Sequence, residues 1–261
     1  MAAEVEIQLI ARGDLDGAAV FDAAARWQPT PPVVRRLEAR YHPAPDLTAA
    51  RYVLRARRED EAIVAALKGP GPVVSGVPTR LEIERGLSRF PEADEALPAA
   101  FVEALQAAGM GRTTWPAFGY GNRVRRLQAD LALPGGAELV VDVGVLQAGE
   151  RQLPIAEVEV ESTGATAQQI GEVARALAQA LDLRPSGLSK GARGLALRGE
   201  LGEPRPGWLG LLEVEERLRL GEARSDRVTR WASVVGGAAP PLDSDEHAAA
   251  VRRRWEDELR G

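Results

Sequence analysis

Carboxylates recur at every second position in two segments of the 261-residue chain: Glu4 and Glu6 near its start, and Glu157, Glu159 and Glu161 in its second half. Arginines do the same at Arg55 and Arg57 and at Arg123 and Arg125, while Arg80 leads into Glu82 and Glu84 at that spacing. A two-residue period puts side chains on one face of a strand, so the first four groups each present like charges to one side and the last presents a mixed row. Grouped carboxylate oxygens suit a hard divalent cation, and guanidinium forks suit phosphate oxygens. Among 33 basic residues only Lys68 and Lys190 are lysine, so their places in the fold carry information. With no cysteine and only two histidines, His42 and His247, thiolate metal sites, thiol catalysis and centres of several imidazoles are excluded.

The elements that must position these residues are strands by pattern. Polar and aliphatic residues alternate over 4–9, 34–41, 51–58, 79–87, 122–131, 137–146 and 153–161, and 61–68 is a nearly apolar run ending in Lys68. Helical patterns fill 16–27, 93–108 and 166–181. An α+β protein with about eight mostly antiparallel strands follows. If the sheet closes into a barrel, its charged faces line the lumen and its aliphatic faces lie beneath helices. Such an interior is costly unless it is wet and holds ions. The natural occupant carries both signs, a polyanion held by Arg and Lys with a divalent cation held by carboxylates. Past Arg205 the pattern changes to amphipathic helices over 208–234 and 244–259, which divides the chain into a barrel over 1–205 and a helical extension over 206–261.

Composition sets the outer bounds. The net charge of −5 mixes both signs and argues against general nucleic-acid binding. No apolar run nears the ~20 residues of a membrane span. Met1 to Ile10 holds two glutamates and no basic stretch, so no secretory signal and a cytoplasmic location are expected.

The ordered set of segments resembles the CYTH family, the triphosphate tunnel metalloenzymes. Glu4, Glu6 and Gln8 stand for its Glu-x-Glu-x-Lys strand, and Tyr41 to Asp46 is similar to its Tyr-Tyr-Asp-Thr-Pro-Asp segment. Leu54 to Arg57, Leu67-Lys68-Gly69, Arg80-Leu81-Glu82, Val141 to Gly144, Pro154 to Glu159 and Leu188-Ser189-Lys190 with Arg193-Gly194 follow in the family's order. The resemblance covers roughly 1–200 and implies an eight-stranded antiparallel tunnel, Mg²⁺ or Mn²⁺, and a triphosphate or polyphosphate small molecule inside. It implies metal ligation by Glu4, Glu6, Glu157 and Glu159, with Glu161 in reserve and Asp142 assisting. It implies phosphate binding by Arg55, Arg57, Lys68, Arg123 and Lys190, joined by Arg80, Arg125 and Arg193, with Glu4, Glu6, Lys68 and Glu159 at the centre of catalysis.

The activity implied is metal-dependent hydrolysis of a triphosphate, inorganic triphosphate foremost, releasing orthophosphate. Gln8 departs from the family lysine and removes a positive charge, which keeps a non-catalytic polyphosphate or nucleotide-binding module as the alternative. Adenylate cyclization ranks last, because no adenine-reading motif is evident. His42, Trp115, Phe118 and Tyr120 read as packing residues, and the extension as a cover for one tunnel mouth, a homodimer contact or a partner site.

Overall fold

The alternating segments fold into strands β1 (Glu4–Ile10), β2 (Val33–Tyr41), β3 (Val53–Glu59), β4 (Ala62–Val74), β5 (Val77–Leu87), β6 (Tyr120–Leu131), β7 (Ala137–Ala148) and β8 (Arg151–Ser162). The two-residue strand β9 (Arg184–Pro185) makes nine, one more than expected. In this computed structural model the described residues are 4–11, 13–74, 77–202, 213 and 216, and the side chains of Glu4 and of 71–80 lie outside them. All neighbours are antiparallel, in the order β5-β4-β3-β2-β6-β7-β8-β1-β9. β1 also meets β5, but only through the pairs Glu4↔Arg80 and Val5↔Thr79. That seam corrects the expectation of a barrel closed by a ladder: the strands curl round a hollow, yet no continuous hydrogen-bonded ladder completes the ring.

Helices α1 (Gly17–Ala23), continued by a 3₁₀ turn at Ala25–Trp27, α2 (Pro45–Ala49), α3 (Ala99–Ala107) and α4 (Ala167–Ala180) lie on the outer side, whereas α5 (Lys190–Arg198) packs against the cavity-facing Leu37, Ala39, Tyr41 and Val124. Thr166 and Gln169 close a capping box at the start of α4, satisfying two backbone N–H groups that the helix leaves open. The outward aliphatics of β1, β7 and β8 (Ile7, Leu9, Leu139, Val141, Val158, Val160) are buried with Ile170, Val173, Ala174 and Leu177 of α4. Each such side chain contributes about 1.5–3 kcal/mol. A second cluster joins Leu54 and Leu67 to Phe101 and Leu105 of α3 and to Trp115. Covered outside, these strands are left to face the hollow with their other row of side chains.

The helices expected over 16–27, 93–108 and 166–181 are shorter, and α2 and α5 were not expected at all. Glu213 and Glu216 are helical, while the rest of 208–234 and all of 244–259 lie outside the described residues. Among the described residues no helix is long and apolar enough to cross a membrane.

Candidate functional site

The hollow is a cavity of about 1050 Å³ with two walls of opposite charge. Glu6 of β1, Glu138 and Asp142 of β7, and Glu159 and Glu161 of β8 form the acidic wall. Register creates it, because Glu6 lies opposite Glu161, and Glu161 opposite Glu138. Three carboxylates on one rung are therefore about 5 Å from strand to strand. The basic wall is built by Arg35 of β2, Arg55 and Arg57 of β3, Lys68 of β4 and Arg126 of β6. Glu59, Glu82 and Glu84 interleave with it. The Lys68 ammonium lies 2.8 Å from Glu82 Oε2, and Arg57 also contacts Glu59.

Deeper in, Asp142, Glu157 and Glu159 each bring an oxygen within 4.8 Å of the others, a group that could hold a metal ion. Cationic side chains already serve it. Lys190 Nζ stands 2.9 Å from Asp142 Oδ2 and 2.8 Å from Glu159 Oε1, and it contacts Glu157 Oε1. Arg126 donates to both Asp142 oxygens at 2.8 and 2.6 Å and reaches Glu159 at 3.2 Å. Glu157 Oε2 accepts from Gln8 at 2.7 Å and from Arg193 at 2.6 Å. Burial works to raise the Asp142 carboxyl, but Lys190 and Arg126 outweigh it and hold that group far below the usual carboxylate range. Lys190 is pushed down to about 7 by burial, against the pull of Asp142.

Nearer the acidic rung the balance reverses. Burial, then the charge of Glu6, raises Glu159 to about 8 and Glu161 to about 7. Crowded carboxylates that resist ionisation are what a divalent cation relieves. The donors Glu6, Glu159 and Glu161 are all oxygen, a chemistry that suits a hard divalent cation. On the facing wall the Nε atoms of Arg35, Arg55 and Arg57 are buried with no hydrogen-bond partner among the described residues. Burial first, then the neighbouring Arg55 and Arg126, lowers Arg57.

Of the residues singled out in the sequence, Glu6, Asp142, Glu159, Glu161, Arg55, Arg57, Lys68 and Lys190 line the cavity together. Glu157 and Arg193 are buried behind its surface and bonded to each other. The side chains of Glu4 and Arg80 lie outside the described residues. Arg123 and Arg125 require correction, since both are exposed on the outer face of β6, while Asn122, Val124, Arg126 and Gln128 face the cavity. Strand parity is the reason. Leu127, Ala129 and Leu131 are the aliphatic row that packs into the outer core, so the odd-numbered residues point away from the hollow. β2 follows the same logic, turning Arg35, Leu37, Ala39 and Tyr41 inwards. Arg35, Arg126 and Glu138 were missed, and the aliphatic row at 127, 129 and 131 was the signal for Arg126. The aromatics pack as expected in part: His42 is buried edge-on to Trp115 and Tyr120 stacks on Tyr41, whereas Phe118 is exposed.

The chain is 29% identical over 173 residues to an inorganic triphosphatase of Haemophilus influenzae, an alignment covering 60% of this chain and 44% of that protein. It thus spans less than half the length of that curated relative. Among solved structures, a conserved hypothetical protein from Pyrococcus furiosus is similar at 16% identity and a TM-score of 0.40, over 69% of this chain and 91% of that one. A Hippeastrum adenylyl cyclase candidate, described as revealing a dominant triphosphatase activity, is similar at 16% identity and a TM-score of 0.48, over 77% of this chain and 98% of that one. The profile of the CYTH domain matches residues 2–195, well over half of the sequence, and the chain belongs to that family.

Proposed function

We propose that the protein is a metal-dependent hydrolase of triphosphate-containing substrates, inorganic triphosphate foremost, releasing orthophosphate. The observation that carries this reading is the set of buried Nε donors on Arg35, Arg55 and Arg57, which lack a partner among the described residues and belong to the cavity wall across from the carboxylates. A buried donor without a partner costs about 1–3 kcal/mol, and phosphate oxygens recover that cost through charge-assisted bonds. The name of the Haemophilus relative supports the same class of substrate.

A divalent cation held by Glu6, Glu159 and Glu161 would supply neutralisation of phosphate charge and a more acidic bound water. The side chains do the rest. Arg55 and Arg57 hold the phosphate chain along the basic wall, and Lys68, Arg126 and Lys190 offset the charge that builds on the departing diphosphate. No side-chain nucleophile is needed.

The test is phosphate release from inorganic triphosphate, thiamine triphosphate, ATP and longer polyphosphate with Mg²⁺ or Mn²⁺. Inorganic triphosphate should turn over fastest, and Glu159→Gln and Lys68→Ala should each lose most of that rate. A folded protein that releases no phosphate from any of the four overturns the reading. Gln8 favours a second one, since its neutral amide stands where the family has lysine and is committed to Glu157. Calorimetric binding of inorganic triphosphate without turnover would select that non-catalytic module.

A further inference from the structure

Glu216 stands beyond the expected end of the barrel, yet its carboxylate is 5% exposed and built into the site's support. It accepts from Ser186 Oγ at 2.7 Å, from the backbone N–H of Leu188 at 3.1 Å and from Arg193 Nε at 2.5 Å. Arg193 is itself 4% exposed and donates through NH1 to Glu157 Oε2. Its NH2 reaches Ser186 Oγ at 3.1 Å. Glu157, fully buried, touches Lys190 through its other oxygen, and Lys190 lines the cavity. A chain of buried charges therefore runs from Glu216 through Arg193 and Glu157 to Lys190.

We infer that Glu216 is a positioning residue for the phosphate site, acting through Arg193 and Glu157 on the Lys190 ammonium. This rests on the proposed function above. The argument is one of oxygen count. A guanidinium left with one carboxylate tends to take both of its oxygens in a bidentate pair. Glu216 occupies the Nε edge of Arg193, so Arg193 needs only Oε2 of Glu157, and Oε1, which accepts no hydrogen bond among the described residues, is left to its ion-pair contact with Lys190. Without Glu216, Arg193 claims both oxygens and Lys190 loses one of its three anchors. The cation then shifts towards Asp142 and Glu159, off the position that its three carboxylates together define.

Three full-chain variants test this: Glu216→Gln, Arg193→Lys and the double substitution. Glu216→Gln keeps an oxygen for Leu188 and loses the charge that grips Arg193. Each protein is examined by thermal melting, by calorimetry with inorganic triphosphate alone, and by kcat and KM for inorganic triphosphate with Mg²⁺. Glu216→Gln should melt cooperatively, bind metal-free inorganic triphosphate about tenfold more weakly and lose about 10- to 100-fold in kcat/KM, as supports of such sites do. The double variant should lose no more than Arg193→Lys, because both changes break one linkage. Multiplicative losses in the double variant, or wild-type binding and turnover in Glu216→Gln, overturn the inference. Loss of cooperative melting in that near-isosteric variant also overturns it, in favour of a purely structural contact. A wild-type protein that neither binds nor hydrolyses inorganic triphosphate sinks the proposed function instead; one that binds without turnover leaves the calorimetric arm to decide.

Discussion

Arg125 and Arg126 are adjacent in sequence and opposite in consequence. Arg126 forks onto Asp142, which is 0% exposed, and reaches Glu159, whereas Arg125 is exposed on the outer face of β6. Removing one partner of a buried ion pair costs about 3–5 kcal/mol, while a surface truncation stays within about 0.5 kcal/mol. Arg126→Ala should therefore lower stability in chemical denaturation by several kcal/mol and raise KM for inorganic triphosphate; Arg125→Ala should change neither. Equal effects, or a larger one from Arg125→Ala, would contradict that parity of β6. His42 supports a second prediction. Burial, then the nearby charge of Arg40, outweighs its bond to the Pro116 carbonyl and lowers its pKa. The unfolded chain, with an imidazole near 6.5, binds that proton more readily than the folded one. Stability from this group is full above about pH 6.5 and is lost as pH falls from there towards the lowered folded value. Urea denaturation at pH 7.5 and 5.5 should show a smaller acid loss for His42→Phe than for the wild type, even where the variant is less stable at both. An unchanged difference would assign the acid sensitivity to other groups.

Among the elements, α5 decides where Lys190 sits, because the lysine is its first residue and Ser189 caps it by accepting from the Ala192 N–H. The helix lies against the aromatic pair of β2 and β6, and Tyr120 donates its hydroxyl hydrogen to the Gly191 carbonyl at 2.6 Å. A Cβ at position 194 would come within 2.1 Å of the Tyr120 ring. Gly194→Ala should push α5 off the sheet, costing about 1–3 kcal/mol and reducing turnover more than the loss of stability explains; full activity in that variant would show that α5 need not seat there. The same contact explains why α5 was not legible. Two glycines in nine residues each cost a helix about 1 kcal/mol, and only packing against a ring from a distant strand repays them. Seven of the eight main strands were legible within two residues, since period-two alternation is a local signal, whereas β4 runs six residues past its expected end to Val74. Register between strands is not local. β9 and the short α2 are likewise held by tertiary context, β9 through its pairing with β1.

For the molecule as a whole, pattern alone implied that, if the sheet closes, carboxylates and guanidinium groups interleave in its hollow; their separation into two walls came from strand order and register. Pattern could not say which arginines face inwards, nor that Glu213 and Glu216 pack against the tunnel, since both depend on parity and on a contact from a distant segment. The linings make a general prediction about energy. Glu159 and Glu161 crowd Glu6 on one wall, and Arg57 crowds Arg55 and Arg126 on the other. A cation relieves the first wall and a polyanion the second, and each ligand lowers the charge that the other must face. Their binding is therefore coupled, with a favourable interaction free energy that is reciprocal. A ligand at about a hundredfold its Kd stabilises by about 2.7 kcal/mol, and each kcal/mol raises Tm by about 2–4 °C in a chain of this size. Inorganic triphosphate or Mg²⁺ alone should each raise Tm by a few degrees. Together, with Glu159→Gln or another slow variant preventing turnover, they should raise it by more than the sum. If the two shifts merely add, or if Mg²⁺ cancels the gain from triphosphate by sequestering it, the walls do not act as one site.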